Sequence, residues 1–384
     1  MSKKTNNPFI TSGYVSKEYF CDREAETTEL LQALCNGRNT VLISPRRMGK
    51  TGLIRHCFHA HEIKQDYYTF FIDIYATSNL KELVYVFGKQ IFETLKPKGK
   101  QFIEQFFQII TSFRPAFKLD PITGAPLFDI GMGEIHQPGY SLEQIFTYLE
   151  KAEKPCIVAI DEFQQISKYP EKNIEAILRT YTQQCTNTTF VYSGSQRHTI
   201  QNMFFSASHP FYQSASLLNL NAIAMNKYIA FVQKHFKKAG KKIANTTIER
   251  VYNLLEGHTW YIQNLFNRLY AFLEEGEEAS LELVNNCLHS TVTSYESMFQ
   301  GILSLLSERQ KELLYAIAKE GKASEITSAA FIKKHALLSS SSVQTASKQL
   351  FEKDLITKEN NVYQVYDRFF GLWLSERYGT GYSL

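Results

Sequence analysis

Cysteine is scarce and dispersed in this chain: six residues, at positions 21, 35, 57, 156, 185 and 287, with no C-x-x-C pair among them. That spacing excludes a zinc ribbon and a disulfide scaffold, and matches the reduced thiols of a cytoplasmic protein. His56, His59 and His61 lie close together, but no cysteine or carboxylate cluster completes a metal site around them, so a solvated helix end is expected. Long apolar runs are lacking as well. No stretch approaches the ~18 apolar residues of a membrane span, and Met1-Ser2-Lys3-Lys4-Thr5-Asn6-Asn7-Pro8 has no apolar core behind its lysines. The expectation is a soluble cytoplasmic protein with no leader and no membrane contact. Charge of one sign is also missing: 42 Lys and Arg against 38 Asp and Glu leave a net +4, so any nucleic-acid binding must rest on a local patch. No internal repeat is visible, and the four serines at 339 to 342 are the one low-complexity tract.

What the chain does hold is length and aromatic bulk. Its 384 residues, with 28 Phe and 22 Tyr, suffice for two or three domains and a large core, and exclude disorder over most of the length. Val41-Leu42-Ile43 is an apolar strand feeding Ser44-Pro45-Arg46-Arg47-Met48-Gly49-Lys50-Thr51-Gly52. A turn that ends in Gly-Lys-Thr meets the needs of a bound polyphosphate: converging backbone N–H groups, a lysine for the terminal phosphates and a hydroxyl for Mg²⁺. Ser44 stands where such loops carry their first glycine. Ile54, Cys57 and Phe58 recur at helical spacing, so the loop opens a helix whose N-terminus faces the anion.

Cys156-Ile157-Val158-Ala159-Ile160 has the continuous apolarity of a strand buried on both faces, and it ends in Asp161-Glu162. At the carboxyl end of such a strand Asp161 is placed to hold Mg²⁺ together with Thr51, and Glu162 to polarise the water that attacks a γ-phosphate. The bland alternative is a pair of solvated acids at a strand exit. The two motifs together, in this order, point to ATP with Mg²⁺.

Strand patterns at Tyr68 to Ile74, Phe190 to Tyr192 and Ser216 to Leu220 bring the strand count to five, alternating with helical patterns at 24–35, 80–95, 102–113, 141–152 and 174–184. Alternation predicts an open, mainly parallel sheet with helices on both faces. Ser141 and Gln144 have capping-box spacing. Asp120-Pro121-Ile122-Thr123-Gly124 predicts a hairpin inserted at the sheet's edge over about 117–133. From 226 the pattern is helical only, which reads as a lid. Three short helical segments after residue 305 and two strands around Asn360-Asn361 then describe a winged helix. The expected domains are therefore 1–222, 223–304 and 305–384.

This order of parts resembles the archaeal-type ATPases, P-loop proteins of the STAND division of the AAA+-related class. Phe20-Cys21-Asp22-Arg23-Glu24 is similar to the family's opening motif, the basic loop Pro45 to Thr51 to its phosphate loop, and Ile160 to Gln164 to its second motif. The resemblance implies an ASCE-type P-loop core with a lid and a C-terminal winged helix. It implies Arg23, Pro45, Arg46, Arg47, Met48, Gly49, Lys50, Thr51 and Gly52 around the nucleotide, with Ser195 of Gly194-Ser195 as γ-phosphate sensor beside catalytic Lys50 and Glu162. Gly257-His258 and Tyr261-Ile262-Gln263 resemble the lid motif, with Thr259 where the family usually has proline. Pro210-Phe211-Tyr212-Gln213-Ser214 lacks the arginine that relatives often carry, which implies slow turnover unless Arg46, Arg47 or Arg197 substitutes.

Three functions compete on these residues: a slow Mg-ATPase switch passing its state through the wing to a protein partner and assembling with itself on ATP binding; a DNA-binding regulator; and a non-hydrolysing scaffold. From Leu305 onward 11 Lys and Arg face 9 Asp and Glu, a balance of +2, weak for a DNA reader. In the expected recognition helix Gln344, Ser347, Lys348, Gln349 and Lys353 are the available contacts, and two lysines neutralise few phosphates.

Overall fold

The computed structural model describes residues 7–95, 100–119, 126–131, 135 and 137–379. The chain divides into two compact units, one of Gly13–Ala222 and one of Met1–Ser12 together with Ile223–Leu384.

The first unit is built on a five-stranded sheet. Its strands are β1 (Thr40–Ile43), β2 (Tyr68–Asp73), β5 (Cys156–Asp161), β6 (Thr188–Gly194) and β7 (Ser216–Asn219), in the order β2-β5-β6-β1-β7 and all parallel. Two strands, β5 and β6, therefore stand between the phosphate-loop strand β1 and β2, the arrangement of the expected ASCE core. The period of two in each strand divides the core into two layers. Val41, Phe70, Ile72, Val158, Ile160, Phe190 and Tyr192 face Phe87, Ile91, Phe146 and Leu149. Leu42, Phe71, Ile157, Ala159 and Val191 face the other way, toward Leu30, Leu34, Leu53, Ile54 and Phe58. These last come from α1 (Glu24–Cys35) and α2 (Lys50–Phe58). Being covered on both faces is what requires β5 to be apolar from Cys156 to Ile160 and β6 from Phe190 to Tyr192.

Register decides where the chemistry lies. Ile43 pairs with Gly194, and Asp73 with Asp161, so the strand ends that carry polar residues finish side by side at the carboxyl edge. The inserted hairpin is present as β3 (Arg114–Leu119) and β4 (Pro126–Gly131), paired antiparallel as a two-stranded sheet of their own rather than at the edge of the large one. The turn Asp120 to Gly124 lies outside the described residues. The capping box expected at Ser141 is not formed. Pro138 starts that helix a turn earlier, in the first-turn position proline favours, and the Gln144 amide instead holds the turn at Thr111 and Ser112.

The second unit holds the helices Met225–Lys238, Asn245–Leu254, Thr259–Phe272 and Leu281–Thr293, with the short parallel pair β8 (Lys242–Ile243) and β9 (Glu278–Ala279). The N-terminal segment, assigned to the core on sequence, clusters with this unit. Phe9 is fully buried among Phe231, Phe236, Phe266 and Tyr270, and Asn267 Nδ2 donates to the Phe9 carbonyl at 2.7 Å. Asn7 Nδ2 returns a bond to the Asn267 carbonyl, also at 2.7 Å.

The same unit ends in the winged helix. Helices Glu308–Glu320, Ala329–Lys334 and Ser340–Glu352 precede a sheet of order β10-β12-β11, where β10 is Ala323–Ser324, β11 Ile356–Glu359 and β12 Val362–Val365. Asn360 and Asn361 both take left-handed φ, 49° and 62°, as a tight two-residue hairpin turn demands. A final helix, Arg368–Tyr378, packs Phe369, Phe370 and Trp373 against Tyr261, Tyr295 and Phe299. Polar ties reinforce that packing: the Glu256 carboxylate, on a left-handed residue after Asn245–Leu254, accepts from Gln364 Nε2 at 2.8 Å and pairs with Arg368 at 3.1 Å.

Candidate functional site

Strand β1 delivers the loop Ser44 to Gly49 to the N-terminus of α2. Arg47 at φ 67° and Gly49 at φ 96° turn the backbone left-handed twice within three residues, which aims successive N–H groups into one concavity. Gly49 is needed there because a Cβ makes that region costly. Ser44 takes no left-handed conformation, so the missing first glycine leaves the turn intact.

Lys50 is 7% exposed and lies across the loop, with Nζ donating to the Ser44 carbonyl at 3.3 Å, Ser44 Oγ at 3.4 Å and the Pro45 carbonyl at 3.4 Å. Burial pushes its pKa down, and the nearby Asp161 and Glu162 carboxylates work in the opposite direction. The next residue, Thr51, donates from Oγ1 to Asp161 Oδ2 at 3.0 Å. A hydroxyl and a carboxylate are thus side by side at the mouth of a phosphate-type loop, the hard oxygen donors that Mg²⁺ takes. Asp161 is oriented from its other oxygen, which accepts from Ser193 Oγ at 2.6 Å and from the Glu162 N–H at 3.0 Å.

Glu162 sits at left-handed φ, 56°, just past β5. Its carboxylate accepts from Ser195 Oγ at 2.7 Å, and Ser195 Oγ in turn accepts from Arg46 Nε at 3.1 Å. Residues 46, 50, 51, 161, 162 and 195, drawn from three strand ends, are therefore one connected group. Asp73, opposite Asp161 in register, stands beside them, and burial raises its carboxyl pKa against the help of the Tyr75 N–H.

Other expected residues support the loop from behind. Arg23 is 3% exposed and donates to the Met48 carbonyl at 3.1 Å, the Asn221 carbonyl at 2.6 Å and Glu26 at 2.8 Å, so its guanidinium braces the loop's backbone. Met48 itself is buried in the α1/α2 layer. Gly52 lies in α2 beneath the Phe20 ring, 3.4 Å from where its Cβ would be. The segment that lacks the relatives' arginine buries Phe211 in the core and leaves Tyr212 exposed.

The histidine reading needs correction at one position. His59 and His61 are exposed, but His56 stacks on Phe20 at 4.4 Å, and its Nδ1 meets the Tyr14 hydroxyl at 2.9 Å; burial pushes its pKa down. Among the described residues no group of three His, Cys, Asp or Glu is placed to hold a metal ion. Ser193 escaped sequence reasoning altogether. Its signal was a small hydroxyl at the carboxyl end of a strand buried along its whole length, just before Gly194-Ser195.

In the winged helix the residues read as DNA contacts are largely engaged within the fold. Gln349 Oε1 accepts from Gln310 Nε2 at 2.8 Å, Lys353 Nζ donates to the Leu305 carbonyl at 3.4 Å, and Lys348 stands 4.0 Å from Glu352. On the neighbouring helix Lys334 and His335 both meet Glu320, at 2.6 and 2.7 Å.

Comparison with known proteins agrees with this geometry. Residues 297–376 match a family described as a probable winged helix domain. Over its whole length the chain is similar in structure to the Walker-type ATPase PABY2304 of Pyrococcus abyssi, at 18% identity and a TM-score of 0.67, with 96% of this chain and 99% of that one covered. The ORC2 protein of Aeropyrum pernix, solved as ADPNP-ADP complexes, follows at 13% identity and TM-score 0.60, covering 97% and 96%. The ORC1 protein of the same organism, solved in complex with DNA, gives 13% identity and TM-score 0.50, covering 93% of each chain. At these identities the likeness is one of fold. A search of the curated proteins found no match. Residues 20–265, which carry the loop, the acidic strand end and the sheet that joins them, match the ATPase domain predominantly from Archaea, and the chain belongs to that family.

Proposed function

We propose that this protein binds Mg-ATP at the loop Ser44 to Gly52 and hydrolyses it slowly, as a STAND-type switch whose state passes to the winged helix. The observation that carries the reading is the meeting of Thr51 with Asp161 at 3.0 Å while Glu162 and Ser195 lie alongside on the next strand ends. Mg²⁺, when bound, supplies charge neutralisation across the phosphates. The chain's own residues do the rest. Lys50 turns from the loop carbonyls to the terminal phosphates, Arg46 and Ser195 meet the γ-phosphate, and Glu162 takes the proton of the attacking water. The absent arginine after Pro210 is the reason to expect slow turnover. ADPNP in the ORC2 structure supports ATP as the nucleotide.

Transmission is supported by the joining of lid and wing into one unit through Glu256, Gln364 and Arg368. A protein is favoured over DNA as the wing's partner because the charge balance from Leu305 onward is only +2 and Gln349 is already paired with Gln310 inside the fold. The scattered cysteine spacing, with no C-x-x-C pair, supports a cytoplasmic setting. No helix among the described residues is long and apolar enough to cross a membrane. Self-association on ATP binding belongs to the same reading, and sedimentation with and without nucleotide tests it. Calorimetry on Lys50→Ala tests the nucleotide site: loss of Mg-ATP binding by about 100-fold or more is expected, since the ammonium is the loop's cation for the terminal phosphates. Affinity within a few-fold of the parent removes the assignment.

A further inference from the structure

Glu162 is held by more than Ser195. All three hydrogen bonds to its carboxylate fall on one oxygen, Oε2: from Gln164 Nε2 at 2.5 Å, from Ser195 Oγ at 2.7 Å and from the Ser195 N–H at 3.4 Å. The other oxygen, Oε1, accepts none among the described residues. A carboxylate accepts only, so the Gln164 amide must face it with its nitrogen, and this fixes the amide's orientation. The consequence is that Gln164 Oε1 is buried without a partner, on a side chain 3% exposed. A buried carbonyl left unbonded costs free energy that an apolar side chain of the same shape would not, so packing alone does not account for a glutamine here.

The neighbouring glycine points the same way. Gly194 does not adopt left-handed φ, so the backbone does not require glycine. A Cβ there would lie 2.0 Å from Gln164 Oε1 and 2.4 Å from Ile200 Cδ1. Glycine at 194 keeps open the space in which the Gln164 amide reaches Glu162.

We propose that Gln164 is a positioning residue for hydrolysis. It pins one oxygen of Glu162 so that Oε1 is left to receive the proton of the attacking water. In that step the water oxygen bonds to the γ-phosphorus, and the bond to the bridging oxygen breaks with its electron pair leaving on ADP. The water proton passes to Oε1 and then to solvent. This rests on the reading of Glu162 as the base, so the two are tested apart.

The experiment is single-turnover ATP hydrolysis with the full chain in excess, beside calorimetric Mg-ATP affinity, for the parent, Glu162→Gln, Gln164→Met, Gln164→Glu and Gly194→Ala. Gln164→Met is expected to keep affinity within about 3-fold and to lose about 10- to 100-fold in rate, less than the ~10²–10⁴ that general-base catalysis itself supplies. Gln164→Glu, whose carboxylate accepts and does not donate to Glu162, loses at least as much rate as Gln164→Met at unchanged affinity. Gly194→Ala, by displacing the amide, reproduces the Gln164→Met rate and affinity, with the melting temperature reporting its fold. A parental rate in Gln164→Met, while Glu162→Gln is inactive, overturns this proposal alone. So does a rate loss matched by an equal loss of affinity. A parent without single-turnover hydrolysis, or a Glu162→Gln variant as fast as the parent, overturns the base assignment and this proposal with it.

Discussion

The two units use the same kinds of polar residue in opposite ways. In the sheet unit Arg46, Thr51, Asp161, Glu162 and Ser195 come from three strand ends and are linked to one another at one edge, with Lys50 lying across the loop that follows β1. In the helical unit Glu256, Gln364 and Arg368, or Glu320, Lys334 and His335, pair off and tie one element to the next. Convergence at a strand edge leaves side chains available to a ligand. Pairing between helices uses them up as mortar, which is why a basic or polar composition in the wing says little about DNA.

That contrast can be broken first at the sheet edge. Glu162→Gln is expected to bind Mg-ATP like the parent and to lose about 10²- to 10⁴-fold in hydrolysis, since the amide keeps the acceptor's shape without its basicity. Asp161→Asn should instead leave nucleotide affinity less dependent on Mg²⁺ concentration. Parallel measurement of ATP affinity across a Mg²⁺ series and of phosphate release separates the two roles, and equal effects in both variants would dissolve the division of labour.

In the helical unit the large effect should be on stability rather than on chemistry. Phe9→Ala removes a ring closed in by five aromatic neighbours and is expected to cost about 3–5 kcal/mol, the usual range for a buried phenylalanine. Denaturant unfolding measures it. An unchanged midpoint would mean that the N-terminal segment does not belong to this unit in solution.

The smallest effect is expected at the wing. Lys348→Glu with Lys353→Glu should change duplex binding and its salt dependence little, because one lysine stands by Glu352 and the other caps a helix-end carbonyl. Titration of the full chain with mixed-sequence and selected duplexes checks this. Submicromolar, sequence-dependent binding at physiological salt that the double variant abolishes would move the wing from mortar to ligand site.

Much of this was legible in the residues. The inner strands β1, β5 and β6 declared themselves because a strand covered on both faces needs an apolar run, the edge strands β2 and β7 by shorter apolar stretches, and the Asn360-Asn361 turn because few residues tolerate two left-handed positions in succession. Gly49-Lys50-Thr51 and Asp161-Glu162 were legible for a different reason: phosphate and metal chemistry restricts residue type locally. What could not be read were partnerships. Ser141 and Gln144 satisfied a local pattern, yet Pro138 had already started the helix. The place of Phe9 depends on rings more than two hundred residues away, and no periodicity in Asn7 to Ser12 signals it.

By itself, then, the sequence determined the loop, the acidic strand end, the order of strands and helices and the terminal wing, because each follows from short-range sterics, burial period or a ligand's chemistry. Only the tertiary structure decided that β5 and β6 stand between β1 and β2, that Ser193 and Gln164 orient the two acids, that Arg23 braces the loop, and that Gln349 of the wing is paired with Gln310. Those depend on strand register and on side chains meeting across long sequence separations, and a linear pattern carries no information about which distant partner completes a hydrogen bond.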